Sequence, residues 1–226
     1  LKTIQCKPDD NRFVIRNETI ALPRADFTKR IAEREAEQNR LVQSLQGTTL
    51  DLKAFVPLAV KYGLSGAFPS APAARYLHDR KLGRTDLDTL DAKNRDDLAR
   101  YAANVRVMEA LVRNQTNLAL LKKNQAKNVA SGSKSMDVEV AGLRVGDFVL
   151  VTFPGELTVR IGMNLKKASP HDSTFVAGYT NGYIYYAPTE EQLANTGAAQ
   201  EDCDRLVGSG WQAIFENKAI EILKGL

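Results

Sequence analysis

Cysteine is almost missing from this chain of 226 residues, with Cys6 and Cys203 near opposite ends and no C-x-x-C spacing. That spacing argues against a cysteine-built metal centre, and the one conceivable disulfide requires a fold that brings the two ends together. Histidine is as scarce, since His78 and His171 are the only two. His78 sits in the polar stretch Tyr76-Leu77-His78-Asp79-Arg80 and His171 follows Ser169-Pro170, so both read as solvated residues rather than ligands. No run approaches the roughly 18 to 20 apolar residues of a membrane span, so no transmembrane segment is expected. A basic block is lacking too: the net charge of +4 comes from scattered Lys and Arg with no aromatic-interleaved basic motif, which argues against a nucleic-acid ligand. The chain opens Leu1-Lys2-Thr3 without an initiator Met, an apolar signal core or a cleavage site, the opening expected of a processed or excised piece.

What is present is ordinary globular material, 43% hydrophobic and 26% charged, long enough for a sizeable core. Residues 1–23 carry two strand-like runs, Leu1 to Cys6 and Phe13 to Leu22, separated by the turn residues Pro8-Asp9-Asp10-Asn11. Residues 24–130 read as helical. Asp26 is placed to cap a helix running to Gln46, with Gly47 as its stop, and Leu50 to Tyr62 is a second helix. Gly66 to Pro72 reads as a loop. From Asp96 to Asn124 a long helix is predicted, with Leu98, Tyr101, Val105, Met108, Leu111 and Val112 forming a packing stripe on one face. The sequons at Asn17 and Asn114 are short enough to arise by chance, and Asn114 falls within that helix.

Strand signals return over residues 131–226. Val138 to Leu143 and Asp147 to Phe153 flank a turn. Pro154-Gly155-Glu156 follows, then a helix from Leu157 to Lys167, a strand from Thr174 to Tyr179 and a closing helix from Trp211 to Leu223. That order is a β-α-β unit, and the fold class is α/β (α+β), a mixed sheet with flanking helices and a helical middle segment. Strand ends are where such folds deliver chemistry. Glu156 lies at one of them, and about thirty residues later Asn181-Gly182-Tyr183-Ile184-Tyr185-Tyr186 lies at another. By itself, Glu156 reads more simply as a carboxylate favoured at a helix N-terminus than as a ligand. Asn181-Gly182 reads most simply as a turn that permits positive φ. The tyrosines are packing residues with hydroxyls in need of partners.

The segments LRVGDFVLVTFPGE and KKASPHDSTFVAGYTNGYIYYAPT resemble the latter part of the catalytic domain of the neutral, non-lysosomal ceramidase family, over about Val138 to Leu226. The family is zinc-dependent and hydrolyses the amide of N-acylsphingosines. The resemblance implies that the chain is the C-terminal portion of a larger ceramidase-like α/β domain. It implies that Glu156, from the Pro-Gly-Glu element, and Tyr186, the last Tyr of Asn-x-Tyr-x-x-Tyr, are ligands to Zn2+. It further implies that Asn181, Gly182 and Tyr183 line the substrate cleft. A carboxylate and a phenol are acceptable zinc donors if imidazoles complete the shell and leave a position for water. The family's two His ligands and its catalytic Ser, in a Gly-Asp-Val-Ser-Pro-Asn context, belong to a preceding half, and nothing in this chain matches those motifs.

Two readings follow. Either the chain is the C-terminal piece of a longer hydrolase, silent alone, whose partners are the N-terminal half of the same protein and a lipid or other N-acyl amide substrate, or it is a non-catalytic α/β binding module that keeps the fold. Family members are commonly exported, which implies a secreted or periplasmic place.

Overall fold

A computed structural model describes residues 11–64, 74–194 and 199–226. The expected strand Leu1 to Cys6, the expected loop Gly66 to Pro72 and the Cys6 partner of any disulfide lie outside the described residues. The chain divides into two compact units, residues 1–35 with 115–226, and residues 36–114.

The first unit is built on a four-stranded mixed sheet in the order β1 (Phe13–Pro23), β2 (Ser135–Val145), β3 (Phe148–Thr152) and β5 (Thr174–Ala177). β1 and β2 pair antiparallel along their whole length, from Phe13 opposite Val145 to Pro23 opposite Ser135. β2 turns into β3 through Gly146-Asp147, a tighter turn than the sequence indicates because strand pairing continues through Arg144 and Val145. Helix α5 (Val159–Ala168) connects β3 to β5, and those strands run parallel, so the β-α-β unit is present.

Helix α7 (Trp211–Lys224), which follows the short α6 (Glu190–Ala194) in the chain, lies on β1, β2 and β3, while α5 packs against α7 and β5. Gly142 lets α7 come close, since a Cβ there would meet Ile222 Cγ2 at 2.3 Å. The core beneath α7 is Ile20, Leu22, Val138, Val140, Val149, Val151, Phe153, Trp211 and Phe215, all 6% exposed or less. Trp211 is buried with its indole N–H donating to the Pro188 carbonyl at 2.9 Å, as a buried indole requires.

On the other face of the sheet, paired residues form two apolar rows. Phe13, Val145 and Phe148 make one, and Ile15, Leu143, Leu150 and Phe175 the other. Phe13 and Ile15 are exposed.

Helix α1 (Thr28–Gln43) starts as expected at Asp26, whose carboxylate accepts from the Thr28 N–H at 3.0 Å and the Thr28 hydroxyl at 2.7 Å. Helix α4 (Asp86–Ala130) is longer than its apolar stripe indicates. Its C-terminal part buries Leu118 and Leu121 together with Asn124 and Asn128. These asparagines donate to the backbone carbonyls of Cys203, Ala25 and Leu206, meeting a need for polar partners that apolar periodicity does not reveal.

In the second unit, α2 (Leu52–Gly63) is capped by Asp51, which accepts from the Ala54 N–H at 2.8 Å. Phe55 of α2 stacks on Tyr101 of α4 with ring centroids 4.4 Å apart. The expected packing stripe is only partly covered within this unit, because Val105, Met108 and Val112 are 42, 50 and 61% exposed. They border a surface groove of about 540 Å³. A helix of 12 residues cannot cover one of 45, about 18 Å against about 68 Å of rise. The short helix α3 (Ala74–Lys81) carries His78 exposed, as the sequence indicates. No helix among the described residues is long and apolar enough to cross a membrane.

Candidate functional site

The site is made by two loops at the C-terminal ends of the parallel strands β3 and β5. The first is Phe153-Pro154-Gly155-Glu156. Gly155 has no room for a side chain, since a Cβ would lie 2.9 Å from both Phe153 Cε1 and the Tyr185 carbonyl oxygen. The second loop runs from Gly178 to Tyr186. Backbone bonds lace the two together: Tyr179 N–H to Gly155 O at 3.1 Å, Thr180 N–H to Phe153 O at 3.2 Å, Ile184 N–H to Pro154 O at 2.8 Å and Glu156 N–H to Tyr185 O at 3.0 Å. Short strands β4 (Glu156–Leu157) and β6 (Tyr186–Ala187) then pair in parallel, with Glu156 directly opposite Tyr186.

Three non-glycine residues of the second loop have left-handed backbone, Tyr179 at φ 55°, Asn181 at φ 58° and Tyr185 at φ 65°. Each costs about 1 to 3 kcal/mol, and such residues persist only where the surroundings over-determine them. Here the lacing does so.

The Glu156 carboxylate acts on the phenols of both Tyr179 and Tyr186. Interaction with the Glu156 side chain, followed by burial and the nearby negative charge, pushes the Tyr179 phenol up to about 12. Burial first and the Glu156 charge second raise Tyr186, and the same two causes raise Tyr183. The rings form a ladder, Tyr179 stacked on Tyr183 with centroids 5.5 Å apart and Tyr183 tilted against Tyr185 at 5.1 Å. At the far end Lys123 and Lys127 sit over the Tyr185 ring, and the Lys127 ammonium donates to the Tyr185 hydroxyl. Beside Glu156 and Tyr179 opens a cleft of about 300 Å³ with Leu157, Val159, Met163 and Val176 in its walls and Lys166 at its edge.

The two residues singled out as ligands are therefore neighbours. Asn181 turns away, its side-chain amide donating to Glu139 at 2.5 Å. Gly182 packs close to Pro154, a Cβ there meeting Pro154 Cβ at 3.2 Å, and Tyr183 is half exposed on the ladder. Neither histidine joins the site. His171 is not the solvated loop residue expected of it, because its Nε2 lies 2.7 Å from the Leu223 carbonyl at the end of α7. Sequence reading missed Tyr179, Lys123 and Lys127. Tyr179 lies within the resembling segment but outside its Asn-x-Tyr-x-x-Tyr element, and the lysines sit on α4 with no local signal.

No family model and no curated protein matches the chain. Solved structures do, over a limited stretch. The structural neighbours are neutral ceramidases. One is neutral ceramidase from Pseudomonas aeruginosa, 25% identical with a TM-score of 0.32 over 40% of this chain and 15% of that one. The other is a ceramidase complexed with C2, with the same identity and TM-score over 40% of this chain and 14% of that one. The chain thus spans about a seventh of the length of the ceramidases it matches. At that TM-score the likeness is local, and the roles of residues rest on the site itself.

Among the described residues there is no group of three or more His, Cys, Asp and Glu side chains able to hold a metal ion. Glu156 and Tyr186 offer hard oxygen donors, suited to half of a tetrahedral zinc shell and insufficient for a whole one.

Proposed function

We propose that the chain is the C-terminal portion of a zinc-dependent amidohydrolase resembling neutral ceramidase, which cleaves the amide of N-acylsphingosine or a related N-acyl lipid. What carries this reading is the Glu156–Tyr186 pair: the two residues that the ceramidase-like motifs mark as ligands stand opposite each other on adjacent parallel strands, the Glu156 charge acting on the Tyr186 phenol.

In this reading Glu156 and Tyr186 hold one side of the metal, and imidazoles from a preceding half hold the other. Bound zinc supplies Lewis acidity toward water and an acyl carbonyl. Tyr179, whose phenol responds to Glu156, helps fix the direction of that carboxylate. The apolar walls beside Glu156 take the hydrocarbon part of the substrate and exclude water from the reacting amide. Lacking the imidazoles and a further proton-transfer group, the isolated chain is catalytically silent.

The test is zinc content and N-acylsphingosine hydrolysis of the complete gene product, with Glu156→Ala as control. Both are expected in the wild type and both are lost in the variant, while its circular dichroism is unchanged. A zinc-free, inactive wild-type product leaves the non-catalytic α/β module as the surviving account.

A further inference from the structure

We propose that the cleft beside Glu156 takes a single aliphatic chain of medium length that ends in a carboxylate held at Lys166. That this chain is one arm of the scissile amide rests on the hydrolase reading; the cleft and its ligand do not. Helix α5 carries apolar residues on two faces. Ile161 and Leu165 are fully buried in the core, which is all that a helix lying on one layer requires. Val159 and Met163, one turn apart, are 76 and 61% exposed and line the cleft instead. Gly162 lies in that same wall. Glycine inside a helix is destabilising relative to alanine, and packing does not demand it here, because a Cβ at position 162 would meet nothing within 4 Å. Gly155 is a glycine for want of room, whereas Gly162 keeps open a space that the chain itself leaves unfilled.

Size and charge name the occupant. Val159, Gly162, Met163 and Lys166 form one stripe along α5, about 10 Å from first to last. A cleft of about 300 Å³, at about 30 Å³ for each water-sized group, has room for about ten non-hydrogen atoms. That is one short chain, and not the two hydrocarbon chains of N-acylsphingosine. Opposite charges mark its ends, since Glu156 precedes the first turn of α5 and Lys166 stands in the last. A carboxylate is repelled by Glu156 and drawn to Lys166, so the chain lies with its uncharged end beside Glu156 and Tyr179. In the hydrolase reading that uncharged end continues into the amide. The favoured substrate is then an N-acyl compound with one short arm that terminates in a carboxylate.

The test is methyl NMR of the 226-residue chain, labelled at the methionine ε-methyl groups and titrated with octanoate, decanoate, dodecanoate and decanol. Its three methionines separate the outcomes: Met163 lines the cleft, Met136 is buried, and Met108 borders the apolar groove on α4. Decanoate should shift Met163 and leave Met108 and Met136 in place. Affinity should rise about fourfold per methylene from octanoate to decanoate and level off at dodecanoate. Lys166→Gln should weaken decanoate about two- to fivefold and leave decanol unchanged. Gly162→Leu puts a better helix former in the open space; it should keep the melting temperature and abolish the decanoate-induced shift of Met163. The inference is overturned by a Met163 that decanoate does not move, by Met108 shifts that match those of Met163, by binding that survives Gly162→Leu, by a Lys166→Gln effect that is absent or equal for decanoate and decanol, or by affinity that keeps climbing through dodecanoate. A complete gene product without zinc or hydrolysis removes the hydrolase reading and leaves the cleft's ligand standing; zinc and hydrolysis with Met163 unmoved by decanoate do the reverse.

Discussion

Glu156 is surrounded by phenols, and their proton affinities are the site's most direct signature. Interaction with the Glu156 carboxylate, then burial, pushes the Tyr179 phenol up to about 12. Its folded value is raised, so its contribution to stability is complete below the ordinary tyrosine value of about 10 and is lost as pH rises through about 12. Spectrophotometric titration of the chain should show late phenols; Tyr179→Phe removes one of them, and Glu156→Gln returns Tyr179 toward the ordinary range. A Tyr179 that still titrates late in Glu156→Gln would show that its proton is held by something else. The sequence made the Glu156–Tyr186 pair legible because both lie in short motifs, each at the end of a strand. It hid Tyr179, whose approach to Glu156 depends on left-handed backbone at positions 179, 181 and 185, a conformation that tyrosine does not announce.

At the scale of elements, apolar periodicity located the helices and misjudged what their faces do. The stripe on α4 from Leu98 to Val112 reads as core, yet half of it is open, while the helices of the second unit are fastened by a polar knot. Asp91 of α4, only 5% exposed, accepts from Tyr62 Oη of α2 at 2.5 Å, Tyr76 Oη of α3 at 2.6 Å and Lys61 Nζ at 3.3 Å. Burial pushes its carboxyl up, but those three hydrogen bonds outweigh burial and hold it below the usual range. Tyr76 is pushed the other way, to about 12, chiefly by its bond to Asp91. The knot therefore weakens at both extremes: as pH falls below the ordinary aspartate value of about 4, and as it rises from about 10 through about 12. Asp91→Ala removes the acceptor that both phenols share and should cost about 1 to 3 kcal/mol, read as a lower urea midpoint, and should return Tyr76 to ordinary titration. No sequence pattern reveals this knot, since Tyr62, Tyr76 and Asp91 lie on three helices.

At the scale of the whole chain, the pairings that create the site join segments far apart in sequence, and these are what a reading of local pattern reaches least. β1 lies more than a hundred residues from its partner β2, and the Glu156 loop is held by tyrosines about thirty positions on. The loop is also anchored inward: Phe153, immediately before Pro154-Gly155-Glu156, is fully buried with its ring centroid 4.5 Å from Phe215 and 5.6 Å from Trp211. Site and core are thus one structure, and weakening the second should weaken the first. Phe215→Ala leaves a cavity under Phe153 and should cost about 3 to 5 kcal/mol, a large part of the roughly 5 to 15 kcal/mol that holds a typical protein together. Because Tyr179 loses its share of stability above about pH 10, the variant has less in reserve against alkali. Its near-ultraviolet dichroism should collapse at lower pH than that of the wild type, with the late Tyr179 ionisation moving earlier in step. If the dichroism shifts while the Tyr179 titration stays in place, the two loops hold their geometry without the core, and the surroundings of Glu156 are kept by their mutual lacing alone.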